Sequence, residues 1–527
     1  MNKKDVILLI FLYLPALYLW TLPINEMPFG DVDSSAHFTS GDYMAYTDKS
    51  VYKLPYYLIP SLGYGGYFGY PPQFNAGEAI IQILGGNRII PVYLFIAVLC
   101  SSFLLSSYLL VRKLYGFIPA LLTCFLLIFS RRDIMYYLWG LWPQTIAFSF
   151  VPLIIYCYYQ FTDIQADEES KEKDKRHYLK YLYLTIILLS IQYTFHPQAF
   201  LFSVVFIIIY SFVLTLLKKR LPFKIKDAPA PFALLLILIF LLAPFQFKVF
   251  LGMTGFVDIG VAEDTYGFKP ENIARLFHWF KIDEKYFASV PSAYFSYSYI
   301  YGGYWTLLLL FLGLIFLFIR RKKQDVLIIS WLVTLYLFLH MDILGGTRNF
   351  RFLQLEAQLF SLIIAVGLVG IVSFIKLPKE QLGYLKYGLV IIFIITGLFF
   401  NAKPVYSELK NSYTGITRLI EPEYNAALWM RENLPEKANV MLAGTVAYNK
   451  KKWFRGLSFR NVFYDNQIIT KENADMADHV LVDYSDLMML GNKEAMEQLQ
   501  QWERNALANA TLLYNKDNIR VYSLENR

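Results

Sequence analysis

The sequence predicts a mainly α, polytopic membrane protein that ends in a small α/β domain on the outer side. Three observations predict it. Apolar residues make up 56% of the 527 and charged residues 17%, more hydrocarbon than a soluble chain of this length hides. The charges fall in short blocks between apolar runs of about 17–25 residues, the length at which a helix crosses a bilayer core while satisfying its own backbone. After Ala402 the pattern changes to short helices alternating with short apolar strands.

The start, Met1-Asn2-Lys3-Lys4, is basic, and the apolar run behind it lacks a small-residue cleavage site, so it reads as an uncleaved first helix. About eleven spans follow one another: Val6–Leu22, Ile89–Val111, Leu114–Phe129, Leu141–Gln160, Leu179–Phe195, Ala199–Leu217, Pro231–Leu251, Tyr304–Ile319, Val326–Met341, Phe352–Phe374 and Tyr387–Asn401. With Lys3 and Lys4 cytoplasmic, alternate loops should be basic. They are: Arg112-Lys113, Lys171 to Arg176, Lys218-Lys219-Arg220, Arg320 to Lys323, and Lys376 with Lys379 and Lys386. The net charge of +8 is therefore read as membrane topology, not as a nucleic-acid surface. The N-terminus is expected in the cytoplasm of a multi-pass cell-membrane protein. Residues 23–88 and 252–303 become large outward loops of a membrane domain 1–401, and 402–527 an extracytoplasmic domain.

In that tail, Glu423 to Asn433 has helical spacing and stops before Pro435. Asn439–Ala443, His479–Val482, Leu512–Tyr514 and Arg520–Tyr522 read as strands, and Lys493 to Ala508 as a helix. Neither a phosphate-binding glycine loop nor a nucleophile motif is visible. Cys100, Cys124 and Cys157 all lie in apolar runs, which leaves no disulfide framework.

Chemistry concentrates at the outer ends of spans. Asp31 and Asp33 follow the first span, with His37 four residues beyond Asp33 and on the same helical face. A carboxylate there serves either as a general base, as a ligand to Mg2+ or Mn2+, or as a helix cap. Arg348 and Arg351 sit on the outer side, where the positive-inside rule disfavours cations, and guanidinium geometry suits phosphate. Arg131 and Arg132 form a second outward pair beside Asp133. Glu356 falls one turn inside a span, with Arg348 or Arg351 as its expected partner. His196, at the mouth of the fifth span, is either a ligand-facing or a structural histidine.

Taken together, these features resemble the GT-C superfamily, membrane glycosyltransferases that use polyprenyl-phosphate sugars. The resemblance is carried by Asp31-Val32-Asp33 after the first span and by Tyr70-Pro71-Pro72 late in the first outward loop. It is also carried by the arginines Arg348 and Arg351 and by a small outward α/β tail opening at Glu423. It implies a hexosyl- or pentosyltransferase working on the outer face, with Asp33, or failing it Asp31, as the catalytic acid residue. Arg348 and Arg351 would bind donor phosphate, supported by His37, His196, Glu356 and Arg131. The implied partners are a polyprenyl-phosphate sugar, membrane lipids and a glycan, lipid or protein acceptor. The Trp-Trp-Asp-Tyr-Gly signature of oligosaccharyltransferases is absent, and the second outward loop has no Asp-x-Asp, so a two-loop metal site is not expected. The rival reading is a lipid or glycan transporter without catalysis; the sequence shows no internal repeat of the kind such folds carry. A third is a member of the superfamily with a scaffolding role alone.

Overall fold

The structure is a computed structural model that describes residues 3–30, 33–47, 63–64, 67–68, 72–86, 88–167, 175–219, 221–222, 227–244, 296–340, 349–374, 378–411, 419–445, 448–464 and 477–524. Helices come first in chain order: α1 (Lys3–Thr21), α2 (Ser34–Thr47), α3 (Gln73–Gly85), α4 (Ile90–Ser101), α5 (Phe103–Tyr115), α6 (Phe117–Ile128), α7 (Arg131–Leu138) and α8 (Trp142–Ser149). Then come α9 (Val151–Asp167), α10 (Lys175–Phe195), α11 (Pro197–Lys218), α12 (Pro229–Leu242), α13 (Leu307–Arg320), α14 (Lys323–His340), α15 (Leu353–Phe374), α16 (Lys379–Gly397) and α17 (Lys403–Asn411). The tail adds α18 (Glu421–Asn433), α19 (Tyr448–Ser458), α20 (Ser485–Met489) and α21 (Lys493–Ala506).

Five helical stretches among the described residues are long and apolar enough to cross a membrane: Ile90–Tyr115, Trp142–Asp163, Pro197–Lys218, Leu353–Val372 and Glu380–Lys410. Four shorter apolar helices accompany them: Asp5–Thr21, Phe117–Ile128, Pro229–Leu242 and Leu307–Arg320. The expected eleven are therefore not all present at spanning length. α10 opens on Lys175-Arg176-His177 and α14 on Lys323-Gln324-Asp325, and these polar starts dilute their apolar character.

The chain divides into two compact units. The first comprises Met1–Trp20, Ala97–Tyr137 and Trp142–Glu408. It is a helical bundle with apolar side chains on both its inner and outer faces. Along α11, Phe202, Phe206, Tyr210 and Leu214 are buried, whereas Ile208, Phe212 and Leu216 on the opposite side are exposed. An exposed apolar stripe of this kind fits lipid, not water. Helices approach closely where side chains vanish: a Cβ on Gly313 of α13 would lie 2.2 Å from the carbonyl oxygen of Ile363 in α15, and one on Gly367 2.4 Å from that of Leu309. Small residues at a crossing allow this backbone contact.

One end of this bundle gathers the loops expected to be cytoplasmic. Arg112 at the end of α5 pairs with buried Asp5 at the start of α1, and Tyr108 donates to the same carboxylate. Tyr115 donates to Asp325, Gln324 to the carbonyl of Leu114, and Lys323 to Asp163 at the end of α9. The opposite ends of α6, α10 and α15 carry the arginines and histidine singled out above.

The second unit comprises Thr21–Ile96, Leu138–Leu141 and Leu409–Arg527. Its sheet, β3 (Asn439–Ala443), β4 (Asn461–Tyr464), β5 (His479–Asp483), β6 (Thr511–Lys516) and β7 (Ile519–Ser523), has the order β4-β3-β5-β7-β6, while β1 (Gly63–Tyr64) and β2 (Tyr67–Phe68) make a separate hairpin. β3 pairs in parallel with β4 and β5, and β7 runs antiparallel to both β5 and β6. Central β5 is buried at every position, which explains its continuous apolar run. Met441, Val480 and Val482 pack with Tyr484 and Leu507 beneath Met496, Leu499 and Trp502 of the amphipathic α21. The expected strands and the helices at Glu423 and Lys493 are present. Strand β4 and helix α19 went unread.

Helix α2 is wedged into this unit. On one side Gly41 meets Glu78 of α3, where a Cβ would come 2.7 Å from that side chain. On the other, Gly456 of α19 meets Thr39, where a Cβ would come within 1.9 Å of the hydroxyl. Phe38 stacks edge-on to Trp453 and Tyr43 to Phe459.

Candidate functional site

The start of α2 is fixed by its backbone. Gly30 and Gly140 both take positive φ, at 116° and 77°, and both press on Ser34: a Cβ on either would lie about 2 Å from its hydroxyl. The amide of Asp33 donates to the carbonyl of Trp139 at 3.2 Å, and the amide of His37 to the carbonyl of Asp33 at 3.2 Å. Asp33 therefore leads into the helix, 9% exposed, with His37 one turn on at 2%. The imidazole of His37 meets the ring of Phe74 edge-on. Asp31 and the pair Tyr70-Pro71 lie outside the described residues.

Below them is a polar layer that sequence reading missed. Asn75 of α3 donates to the carbonyl of His37 at 3.0 Å and to Glu78 at 3.1 Å. Glu78 is wholly buried, and burial holds its carboxyl well above the usual carboxylate range, with Asp42 adding repulsion. The signal available in sequence was the Asn75-x-x-Glu78-x-x-x-Gln82 spacing, a polar stripe along one helical face in an otherwise apolar segment.

The other sequence-predicted residues belong to the first unit. Arg351, in the turn Asn349–Phe352 before α15, lies 3.1 Å through its Nη1 from Nε2 of His196. A guanidinium only donates, so this contact fits a neutral imidazole with its proton on Nδ1. His196 is extended (φ −157°) and precedes Pro197, the first residue of α11, so a helix start orients the ring. Gln144 of α8 donates to the carbonyl of Arg351 at 3.0 Å. Arg348 lies outside the described residues.

Glu356 pairs with Arg132 rather than with Arg351. Arg132 is fully buried and also donates to the carbonyl of Ser296 at 2.8 Å. Arg131 is half-buried; it bridges to Glu408 at 2.9 Å and lies over the Tyr299 ring at 4.5 Å. The physical reason is helical phase: adjacent residues on α7 point about 100° apart, so one enters the bundle and the other leaves it. Asp133 is buried beside them. Desolvation pushes its carboxyl up to about 7, opposed by Ser130, Gln354 and Arg132.

Among the described residues no three carboxylate, histidine or cysteine side chains converge in a way that holds a metal ion. Of the expected ligands only Asp33 is described.

The chain shares its fold with solved structures of an archaeal oligosaccharyltransferase and of ArnT. It superposes on the apo oligosaccharyltransferase of Archaeoglobus fulgidus with a TM-score of 0.61 and 13% identity, over 92% of this chain and 70% of that one. It superposes on apo ArnT from Cupriavidus metallidurans with a TM-score of 0.60 and 9% identity, over 99% and 98% of the two chains. A second ArnT structure, bound to undecaprenyl phosphate, gives 0.55 with the same 9% identity over 99% of this chain and 98% of that one. By sequence, residues 26–351 place the chain in DUF6541, a family of unknown function, and it belongs to that family. No curated protein matches its sequence.

Proposed function

We propose that this chain is a membrane glycosyltransferase that moves a sugar from a polyprenyl-phosphate donor to an extracytoplasmic glycan, lipid or protein acceptor. In this reading residues 1–401 form the membrane domain and 402–527 an extracytoplasmic domain. The fold supports it, because ArnT, matched over nearly its whole length, has been captured with undecaprenyl phosphate. The observation that carries the site is the backbone at the start of α2: the amide of Asp33 donates to the Trp139 carbonyl, and two glycines at positive φ close on the neighbouring Ser34.

Asp33 accepts the proton of the acceptor hydroxyl as its oxygen attacks the anomeric carbon. The bond from that carbon to the phosphate oxygen breaks, and polyprenyl phosphate leaves with the electron pair. Arg351, oriented by His196 and Gln144, and Arg348 stabilise the charge on the leaving phosphate. His37, Glu356 and Arg131 support the two ends of the arrangement. Little else is required once the reactants are held in line. The missing Trp-Trp-Asp-Tyr-Gly signature argues for an acceptor other than that of a typical oligosaccharyltransferase.

The test is turnover of radiolabelled polyprenyl-phosphate sugars by the purified chain. Asp33→Asn should lower the rate by about 10²-fold or more. Arg351→Gln should lower kcat/KM for donor by about 10- to 100-fold, the worth of one charged hydrogen bond. Undiminished turnover in Asp33→Asn removes Asp33 from the mechanism. Movement of labelled donor across vesicles without turnover of any sugar would establish the transporter instead.

A further inference from the structure

Helix α3 is amphipathic in the reverse sense. Its polar side chains Asn75, Glu78 and Gln82 are buried, whereas Ile80, Ile83 and Leu84 are 56%, 65% and 77% exposed. Water on that face would cost each of them its burial free energy. The helix is also pinned beside a membrane-entering segment. A Cβ on Gly85 would come 2.5 Å from the ring of Pro91, and one on Gly77 3.0 Å from Phe95, both in the first two turns of α4. α4 opens the apolar stretch Ile90–Tyr115, the longest but one of the five spanning helices. The exposed apolar face of α3 therefore belongs to a helix packed against the start of a stretch long and apolar enough to cross a membrane.

Three residues past α3 is Arg88, two residues before α4. It donates through Nε to Asp42 of α2 at 2.9 Å, and its Nη2 pairs with the other carboxylate oxygen. Arg431 of α18 reaches the same carboxylate at 3.1 Å. Both guanidiniums flank the ring of Tyr46, at 5.0 and 5.2 Å, and Arg431 also covers Phe459 at 4.0 Å. Two cations therefore share one anion. Among the described residues no second carboxylate pairs with either arginine. Among the described residues this leaves one positive charge over, on side chains that are 18% and 17% exposed. Desolvation, together with repulsion from Arg88 and against the attraction of Asp42, lowers the affinity of Arg431 for its proton.

We propose that Arg88 and Arg431 bind the phosphate of a membrane-lipid headgroup while Ile80, Ile83 and Leu84 sit among the acyl chains. The surplus charge supplies the anion's partner and the planar guanidiniums its geometry. The inference does not depend on catalysis.

The experiment is native mass spectrometry of the full chain in detergent with added phosphatidylglycerol, and with diacylglycerol as the phosphate-free control. Wild type should retain phosphatidylglycerol, and Arg431→Gln should lose at least about tenfold of that binding, the loss of one charged hydrogen bond. Asp42 keeps Arg88 in that variant, and Arg431→Lys, which keeps the charge, guards against misfolding by retaining most of the lipid. A nitroxide on Ile83→Cys in liposomes should be open to oxygen and closed to a water-soluble nickel chelate. Equal retention by Arg431→Gln and wild type, equal retention of diacylglycerol, or a water-exposed nitroxide overturns the proposal. Complete displacement of the lipid by inorganic phosphate would make free phosphate the ligand and overturn it too.

Discussion

At the residue scale, the second unit holds a buried charge cluster whose titration is testable. Lys450 of α19 pairs with both Glu423 and Asp486, and all three side chains are fully buried. The two acids raise the affinity of Lys450 for its proton, so it stays an ammonium. Burial, with repulsion from Asp483, pushes Glu423 up to about 8 against that attraction. At neutral pH Glu423 therefore holds its proton and Lys450 its charge. An acid whose folded pKa is raised stabilises the fold most below its unfolded value. That contribution drains away as pH rises from about 4.5 to about 8. Thermal melts of the purified chain should accordingly show a stability loss across that window, flattened in Glu423→Gln. A variant with the wild-type slope would show that Glu423 does not titrate there. Replacing Lys450 by Met should be far worse, about 3–5 kcal/mol, because it strands Asp486 without a counter-charge.

The residues of the candidate site were legible as types and not as partners. Asp33, His196 and Arg351 stand out because ionisable groups are rare at span ends. That Arg351 meets His196, 155 residues away, and that Glu356 meets Arg132, 224 residues away, follows from which helices pack side by side. No local pattern encodes it. Glu78 and Asn75 were invisible for a related reason: a polar stripe normally faces water, and α3 turns its stripe inward.

At the scale of elements, two helices of the tail and four of its five strands were readable because periodicity is local. The tail helix read over Glu423 to Asn433 begins at Glu421, with the side chain of Glu423 accepting from the amide of Ile420 at 2.9 Å. Crossings were not readable, and they rest on single atoms. Gly367→Ala should insert a methyl group into the contact with the Leu309 carbonyl and cost about 1–3 kcal/mol. The same cost is expected of Gly456→Ala, where the obstacle is the Thr39 hydroxyl. Gly383→Ala, with open space around it, serves as the control and should melt at or above the wild-type temperature. Melting of all three variants together would show that these crossings are not tight.

At the scale of the whole molecule, the positive-inside pattern predicts orientation, and the bundle supports its internal consistency. The ends bearing Arg112, Arg320 and Lys323 gather at one end of the first unit. In a cysteine-free background, a cysteine at exposed Lys113 should be closed to a membrane-impermeant maleimide applied to intact cells. A cysteine at exposed Glu494 of the tail should be open to it. Labelling of both from outside, or of neither, defeats the outward placement of the tail.

By itself the sequence determined that the chain is a membrane protein, where most of its long helices run, and which residue types gather near span ends. Hydrophobicity, helical period and loop charge act over a few turns and survive in one dimension. Only the tertiary structure decided the strand order β4-β3-β5-β7-β6, the burial of Arg132, and the meeting of Arg88 with Arg431 on one carboxylate. These are contacts between distant segments. They are set by how whole faces fill space against each other, and no stretch of sequence holds both partners.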